Sequence, residues 1–169
     1  RINSYFALLE QENFSEAKRE IEYQSSVEPI WLYSKDKSTS IKNSRRASID
    51  LMLIMHEAYQ NRLFKAQIRL EELISKAPAN IEYRNQLAKI LRWRGWYQES
   101  QKQLNIISNT EINYLEGNVE QASLFLEQLK YKEAEILIDE LNQYPIKPDS
   151  VNLLNTKWNL LNKNSLSIE

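Results

Sequence analysis

The chain has 169 residues, enough for one domain with a sizeable core or for about four or five stacked helical hairpins. Its 22 basic and 23 acidic residues nearly cancel, which excludes bulk attraction to nucleic acid or to an anionic membrane, and its lack of cysteine excludes disulfides and thiolate catalysis. Only two Gly and four Pro, together with many helix-forming residues, favour helices, and no apolar run reaches the roughly 18 residues of a membrane-spanning helix.

Residues 3–28 are predicted to form a first helical hairpin, in which the run from Phe14 to Ala17 opens the second helix. Tyr5 and Leu8 lie at helical spacing on the first helix. Because the chain begins at Arg1, without Met or an apolar signal segment, we expect it to be a piece of a longer protein.

Residues 29–44 interrupt the helical pattern. We expect Ile30 to Tyr33 to fold back on the first hairpin as an apolar patch, and Ser34 to Ser44, rich in Ser, Thr, Lys and Asn, to be a mobile loop. Two interpretations of this insertion stay open. It is either a partner contact on one face of the domain or a tolerated surface loop.

A recurring pattern dominates the centre of the chain, from Pro78 to Ile112. With Ile81 counted as position 1, small or apolar residues occupy positions 7, 8, 11, 15, 17, 20, 24 and 27, namely Leu87, Ala88, Leu91, Gly95, Tyr97, Ser100, Leu104 and Ile107. Small Ala88 and Ser100 allow two antiparallel helices to approach closely, and Gly95 supplies the turn between them. This pattern is typical of the tetratricopeptide repeat.

The repeat period of 34 residues carries the pattern through the chain. It relates Ser100 to Ala134 in one direction and to Ala66 in the other. Further units are predicted at 45–77, 81–108 and 112–144, followed by a covering helix at 150–162 that buries the last open apolar face. The prediction is therefore a single all-α domain over 1–169, a right-handed superhelix of about four tetratricopeptide hairpins with no sheet.

A more specific resemblance rests on one local signature. It comprises Asn80, Arg84, Leu87, Ala88, Arg94, Gly95 and Trp96, supported by LKYKEAEILIDEL and by the closing VNLLNTKWNLLNKNSLSIE. On these residues, roughly 45–169 resembles the periplasmic tetratricopeptide domain of outer-membrane exporters of poly-β-1,6-N-acetyl-D-glucosamine, a biofilm polysaccharide. The chain departs from that family at Tyr97, where the family usually has Pro, and at Ser100, where it usually has Ala.

The resemblance implies a location and partners. It implies a periplasmic domain of an outer-membrane protein, followed in the same chain by a β-barrel porin. The implied partners are the periplasmic polysaccharide deacetylase, the partly deacetylated polymer, or both, with no nucleic acid.

Nothing in the sequence predicts catalysis, a metal site or a cofactor. The only histidine is His56, and acidic pairs such as Glu71 and Glu72 lie on second helices expected to face solvent. No glycine-rich phosphate loop is present. We therefore expect a protein that is not an enzyme.

Binding is the usual work of such a repeat domain, because its first helices line a groove. The candidate groove residues for a polymer or protein partner are Tyr59, Glu82, Asn85, Lys89, Arg92, Trp93, Glu116 and Glu127. Carboxylates can pair with ammonium groups of deacetylated sugar, and Tyr59 and Trp93 offer flat faces. Two interpretations remain for Trp93, a ligand contact or packing on the neighbouring repeat.

Two functions follow from these patterns. One is a scaffold that docks the deacetylase or guides the polymer into the pore. The other is a generic adaptor that holds a peptide or helix of a protein partner.

Overall fold

The computed structural model describes residues 2–165, which contain nine helices and two short strands. In chain order the elements are α1 (Ile2–Glu10), α2 (Phe14–Val27), β1 (Trp31–Tyr33), β2 (Ser40–Lys42), α3 (Ser44–Tyr59), α4 (Leu63–Lys76), α5 (Ile81–Trp93), α6 (Tyr97–Thr110), α7 (Leu115–Glu127), α8 (Tyr131–Gln143) and α9 (Asp149–Ser165). They form two compact units, the first ending at Leu70 and the second beginning at Glu71. The helical fold class predicted from the sequence is confirmed, whereas its grouping into one domain stays a prediction. The last residues of the resemblance, 166–169, lie outside the described residues.

The first unit is built around α1, α2 and α3. Its core contains Tyr5, Ala17, Ile21 and Ile49, all buried. The buried Tyr5 hydroxyl lies 3.4 Å from Nδ1 of His56, on α3. Burial lowers the pKa of His56, so this imidazole is neutral at pH 7 and has a structural place in the core.

The insertion differs from its prediction. Instead of a loop without regular structure, residues 31–42 contain an antiparallel hairpin in which Trp31 pairs with Lys42 and Tyr33 with Ser40. The apolar residues of β1 do not fold into the core, because all three side chains are exposed. The expectation of no sheet was therefore wrong at this place. Val, Ile, Tyr and Trp favour strands, and residues 30–42 hold four large residues of that kind without a helical period, namely Ile30, Trp31, Tyr33 and Ile41.

The second unit contains two close helix pairs and a covering helix. Ala88 on α5 and Ser100 on α6 are fully buried where the helices meet, and the Ser100 hydroxyl donates to the Ala88 carbonyl at 2.8 Å. Ala122 and Ala134 play the same part between α7 and α8. On α9, Val151 buries fully against this pair, with Leu154, Trp158 and Leu161 packed beside it.

The turns between paired helices repeat the same backbone conformation. Glu12, Asn61, Gly95 and Leu129 have φ angles of 56°, 61°, 76° and 60°, and each lies two residues after the end of a first helix. In every case the next N–H donates to the carbonyl five residues earlier, as Trp96 does to Leu91 at 2.9 Å and Lys130 to Phe125 at 2.9 Å. This is the hydrogen bond that closes a helix C-terminus around a left-handed residue. The last three positions are 34 residues apart, so the sequence period reappears in the backbone.

Leu129 is strained in this conformation, and this leads to a prediction. A left-handed backbone costs a non-glycine residue about 1–2 kcal/mol. Replacement by glycine removes this strain, but part of the gain is lost because glycine has more conformational entropy in the unfolded chain. Because Leu129 is 69% exposed and loses little packing, Leu129→Gly should stabilise the chain by about 0.5–1 kcal/mol. Urea denaturation measures this change. The matched control is Glu135→Gly, inside the exposed face of α8, which should destabilise by about 1 kcal/mol. A lower midpoint for Leu129→Gly would contradict the assigned backbone.

The residues of the exporter-like signature have local structural roles. The Asn80 side chain caps α5 by accepting from the Tyr83 N–H at 3.0 Å. Arg84 donates to the Pro78 carbonyl at 2.9 Å and to Gln103 on α6 at 3.0 Å. At the other end, the guanidinium of Arg94 lies 3.9 Å from the ring centroid of Trp96. The signature therefore specifies how the α5–α6 hairpin starts, turns and holds together.

Candidate functional site

One surface of the second unit is formed by α5, α7 and α9, which pack in that order. We call it the α5–α7–α9 face. Its candidate residues from the sequence are Glu82, Asn85, Lys89, Arg92 and Trp93 on α5, and Glu116 and Glu127 on α7. Tyr59 belongs to the first unit, where its side chain is exposed.

Carboxylates gather at one end of this face. Glu82 and Glu111 are exposed and Glu116 is half-buried, with Glu116 accepting a hydrogen bond from the Ser150 hydroxyl at 2.8 Å. Burial, with the added negative charges of Glu82, Glu116 and Glu111, raises the pKa of Tyr114 to about 12. All three carboxylates therefore lie close enough to act on one hydroxyl. We call Glu82, Glu111 and Glu116 the acidic edge, and no ion pair joins them to a cation within residues 2–165.

Charges at the other end neutralise one another. The Arg92 guanidinium donates to both oxygens of Glu120, at 2.5 and 3.2 Å, and also to Glu127. Lys157 on α9 reaches the same Glu127 oxygen at 3.4 Å. We call Arg92, Glu120, Glu127 and Lys157 the ion cluster, and it ties α5, α7 and α9 together.

Burial sets the electrostatics of the ion cluster. Arg92 is 7% exposed and Glu120 is 2% exposed. Burial opposes the charge on Arg92, but its hydrogen bonds to Glu120 and the charges of Glu120 and Glu127 raise its pKa, so it stays protonated. Burial raises the pKa of the Glu120 carboxyl, and the adjacent guanidinium limits that rise. The cluster is an internal tie between helices.

The sequence-based groove is corrected at three positions. Asn85 and Arg92 are buried, so neither presents its side chain to a ligand, and Glu127 is engaged by two cations. The physical reason is that α7 packs on α5, where Arg92 meets Glu120, and α9 packs on α7, where Lys157 meets Glu127. A helical-wheel count of a single helix does not include these neighbours. Glu82, Glu116, Lys89 and Trp93 stay exposed or half-buried.

Sequence reasoning missed four residues of this face. They are Glu111, Tyr114, Glu120 and Lys157. A signal existed for two of them. Glu120 is a charged residue between the apolar Val119 and Ala122, and Lys157 lies one 34-residue period after Ser123 of α7. Glu111 and Tyr114 lie in or beside the α6–α7 connection, where helical periodicity gives no orientation.

Within residues 2–165 no helix is long and apolar enough to span a membrane. In the same residues no group of three or more His, Asp or Glu side chains is placed to hold a metal ion.

The paired helices have the tetratricopeptide-repeat fold. A tetratricopeptide-repeat protein from Parabacteroides merdae has a similar structure, with a TM-score of 0.54 and 15% identity over 96% of this chain and 59% of that one. A putative kinesin light chain from Podospora anserina, with nearly identical TPR-like repeats, gives 0.58 and 14% over 92% and 81%. At these identities the likeness concerns the fold alone. No family model matches the chain.

More specifically, the chain is similar to the poly-β-1,6-N-acetyl-D-glucosamine export proteins of Escherichia coli K12 and O157:H7. Each is 27% identical over 150 residues, which are 88% of this chain and 19% of the relative. The resemblance predicted from the sequence is thus confirmed. The chain spans about a fifth of the length of these relatives. They are export proteins by name, and the structural neighbours are repeat proteins.

Proposed function

We propose that this chain is the tetratricopeptide-repeat scaffold of a polysaccharide export protein and that its acidic edge receives partly deacetylated poly-N-acetylglucosamine. The similarity to the export proteins over 88% of the chain is the observation that carries the proposal. The same resemblance supports the proposed location, a periplasmic domain of an outer-membrane protein that feeds polymer to a β-barrel during biofilm formation.

The charges of the face agree with this substrate. Deacetylation leaves amines that are positively charged at neutral pH, and Glu82 and Glu116 offer carboxylates that no cation of the described residues neutralises. Trp93, 37% exposed on the same helix as Glu82, presents part of a ring to the C–H side of a sugar. Each exposed charge pair contributes about 0–1 kcal/mol of binding free energy. Such weak single contacts suit a polymer that has to be released as well as bound.

A second candidate function is protein docking, by the deacetylase or by a peptide of another partner. Leu153 and Leu160 favour it, because both are exposed large apolar side chains on α9. They lie one 34-residue period after Val119 and Leu126 of α7, which are buried in the core. In this case the face binds through apolar contact rather than charge.

The test is a titration of two oligosaccharides of equal length, one partly deacetylated and one fully acetylated. Wild type should prefer the deacetylated oligomer, and the Glu82→Gln, Glu116→Gln double variant should weaken that binding severalfold and reduce its salt dependence. Glu135→Gln with Glu140→Gln, on the exposed side of α8, is the matched control and should change nothing. Equal binding of both sugars, with a Leu153→Ser, Leu160→Ser variant losing deacetylase binding, would instead support protein docking.

A further inference from the structure

The β1–β2 hairpin of the first unit has two chemically different faces. Residues that pair across an antiparallel ladder point to the same side, and successive residues alternate sides. Trp31, Tyr33, Ser40 and Lys42 therefore share one face, which we call the aromatic face. Leu32 and Ile41 pair with each other on the opposite side, together with Ile30.

The aromatic face is open. Trp31 is 42% exposed and Tyr33 is 64% exposed, and Ser40 and Lys42 are exposed beside them. The two rings are separated by one residue of a strand, which places their backbones about 6.6 Å apart. The face thus presents two adjacent flat rings bordered by a hydroxyl and an ammonium group.

The hairpin is held firmly at its base. The Asn43 side chain is buried and donates to the Pro29 carbonyl at 2.9 Å and to Glu28 at 3.0 Å, while its own oxygen caps α3. Arg46 on α3 donates to the carbonyls of Ser25 at 2.6 Å and Glu28 at 2.9 Å. These contacts tie the base of the hairpin to the end of α2 and the start of α3.

The only carboxylate of the hairpin, on Asp36, accepts hydrogen bonds within the turn. Asp36 accepts from the hydroxyls of Ser34 at 2.6 Å and Ser38 at 2.9 Å and from the Ser38 N–H at 3.2 Å. The hydrogen bond from the Ser34 hydroxyl, followed by those from Ser38, lowers the pKa of Asp36 to about 2. Three lysines remain on the hairpin, Lys35, Lys37 and Lys42, so the segment is positively charged.

We propose that the aromatic face of this hairpin binds neutral, N-acetylated units of a polysaccharide chain. Trp31 and Tyr33 stack on the C–H faces of two sugar rings, and Ser40 and Lys42 donate hydrogen bonds to hydroxyl and acetyl oxygens. Lys42 repels the ammonium of a deacetylated unit, so the hairpin selects the opposite form of the sugar from the acidic edge. The inference rests on the proposed function for the polymer class, while the residues of the site all belong to the first unit.

The choice of a sugar over a protein rests on the composition of the face. A protein-docking patch would be expected to use the aliphatic side, where Ile30, Leu32 and Ile41 are all exposed. The aromatic side combines flat rings with hydrogen-bond donors, the combination that fixes a hydroxylated ligand in orientation.

The experiment follows the Trp31 indole N–H by nuclear magnetic resonance while an N-acetylglucosamine oligomer is added to the chain. Wild type should show a saturable shift of that signal. Trp31→Ala and Tyr33→Ala, followed by calorimetry, should weaken binding about tenfold, which corresponds to about 1.4 kcal/mol. Leu32→Ala, on the other side of the same strand, is the matched control and should bind as wild type does. Lys42→Glu should shift the preference toward the deacetylated oligomer.

Each alternative outcome has a definite meaning. No indole shift, or equal losses in Trp31→Ala and Leu32→Ala with circular dichroism unchanged, would overturn the sugar site. Capture of the deacetylase that depends on Ile41 and not on Trp31 would assign the hairpin to protein docking and also overturn it. The Glu82→Gln, Glu116→Gln variant should keep this binding, so failure of the acidic edge and failure of the hairpin site are distinguishable.

Discussion

Replacing Ala88 by Trp is expected to destabilise the second unit by at least about 3 kcal/mol, because the new ring has no space between α5 and α6. Ala88 is fully buried, and its carbonyl accepts the Ser100 hydroxyl at 2.8 Å, so the two backbones meet at this residue. An indole must push them apart. The same movement breaks the hydrogen bond, which is worth about 1 kcal/mol.

Urea denaturation followed by circular dichroism measures the Ala88→Trp effect. Ala79→Trp is the matched control, since Ala79 is exposed in the turn before α5 and its replacement should stay within about 0.5 kcal/mol of wild type. A variant with the wild-type midpoint would mean that α5 and α6 do not meet at this residue.

Removing the Arg92 side chain should be nearly as damaging, for an electrostatic reason. Arg92→Met leaves the Glu120 carboxylate 2% exposed and without its two hydrogen bonds, and an uncompensated buried charge costs about 3–5 kcal/mol. Adding Glu120→Leu should recover most of the loss, because the pair is then replaced by apolar groups of similar size. Lys157→Met is the control at the exposed end of the cluster and should cost less than about 1 kcal/mol.

The pH dependence of the Arg92→Met defect has a definite sign. Without the guanidinium, burial raises the folded-state pKa of Glu120 further above its unfolded value of about 4.3. The folded variant therefore binds a proton more readily than the unfolded chain does. Its stability is greatest below that unfolded pKa and falls as pH rises through the folded one. We expect a smaller defect at pH 4 than at pH 7, and a defect that grows on acidification would contradict the assigned burial.

The helices were predictable because their signals are local and repeated. Ala88, Ser100 and Ala134 have to be small because helices touch there, and Gly95 marks a left-handed turn. A repeat period of 34 residues can therefore be recognised from the sequence alone. The hairpin at residues 31–42 was not predicted. Three-residue strands carry too few alternations to establish a period of two, and the Ser- and Lys-rich turn resembles a flexible loop by composition.

The candidate site was predictable only in part. A helical wheel assigns Glu82 and Glu116 to one surface, and the structure agrees that both are reachable. A helical wheel cannot show that Arg92 pairs with Glu120 and Glu127, because these residues lie 28 and 35 positions later in the chain, on α7. Their pairing depends on side-chain reach across a helix contact, and it decides which charges are available to a ligand.

The place of the β1–β2 hairpin also bears on how the chain folds. Residues 29–43 lie between α2 and α3, consecutive helices that already contact each other. When the connection between two contacting helices is lengthened, the entropic free-energy cost of closing it rises by only about 0.6 kcal/mol for each doubling of length. In the second unit, contacts likewise join α5 to α6 and α7, and α7 to α8 and α9, so contact order is low and folding should be fast. A chain with this topology can acquire new surface at its inter-helix connections without slowing the assembly of its core.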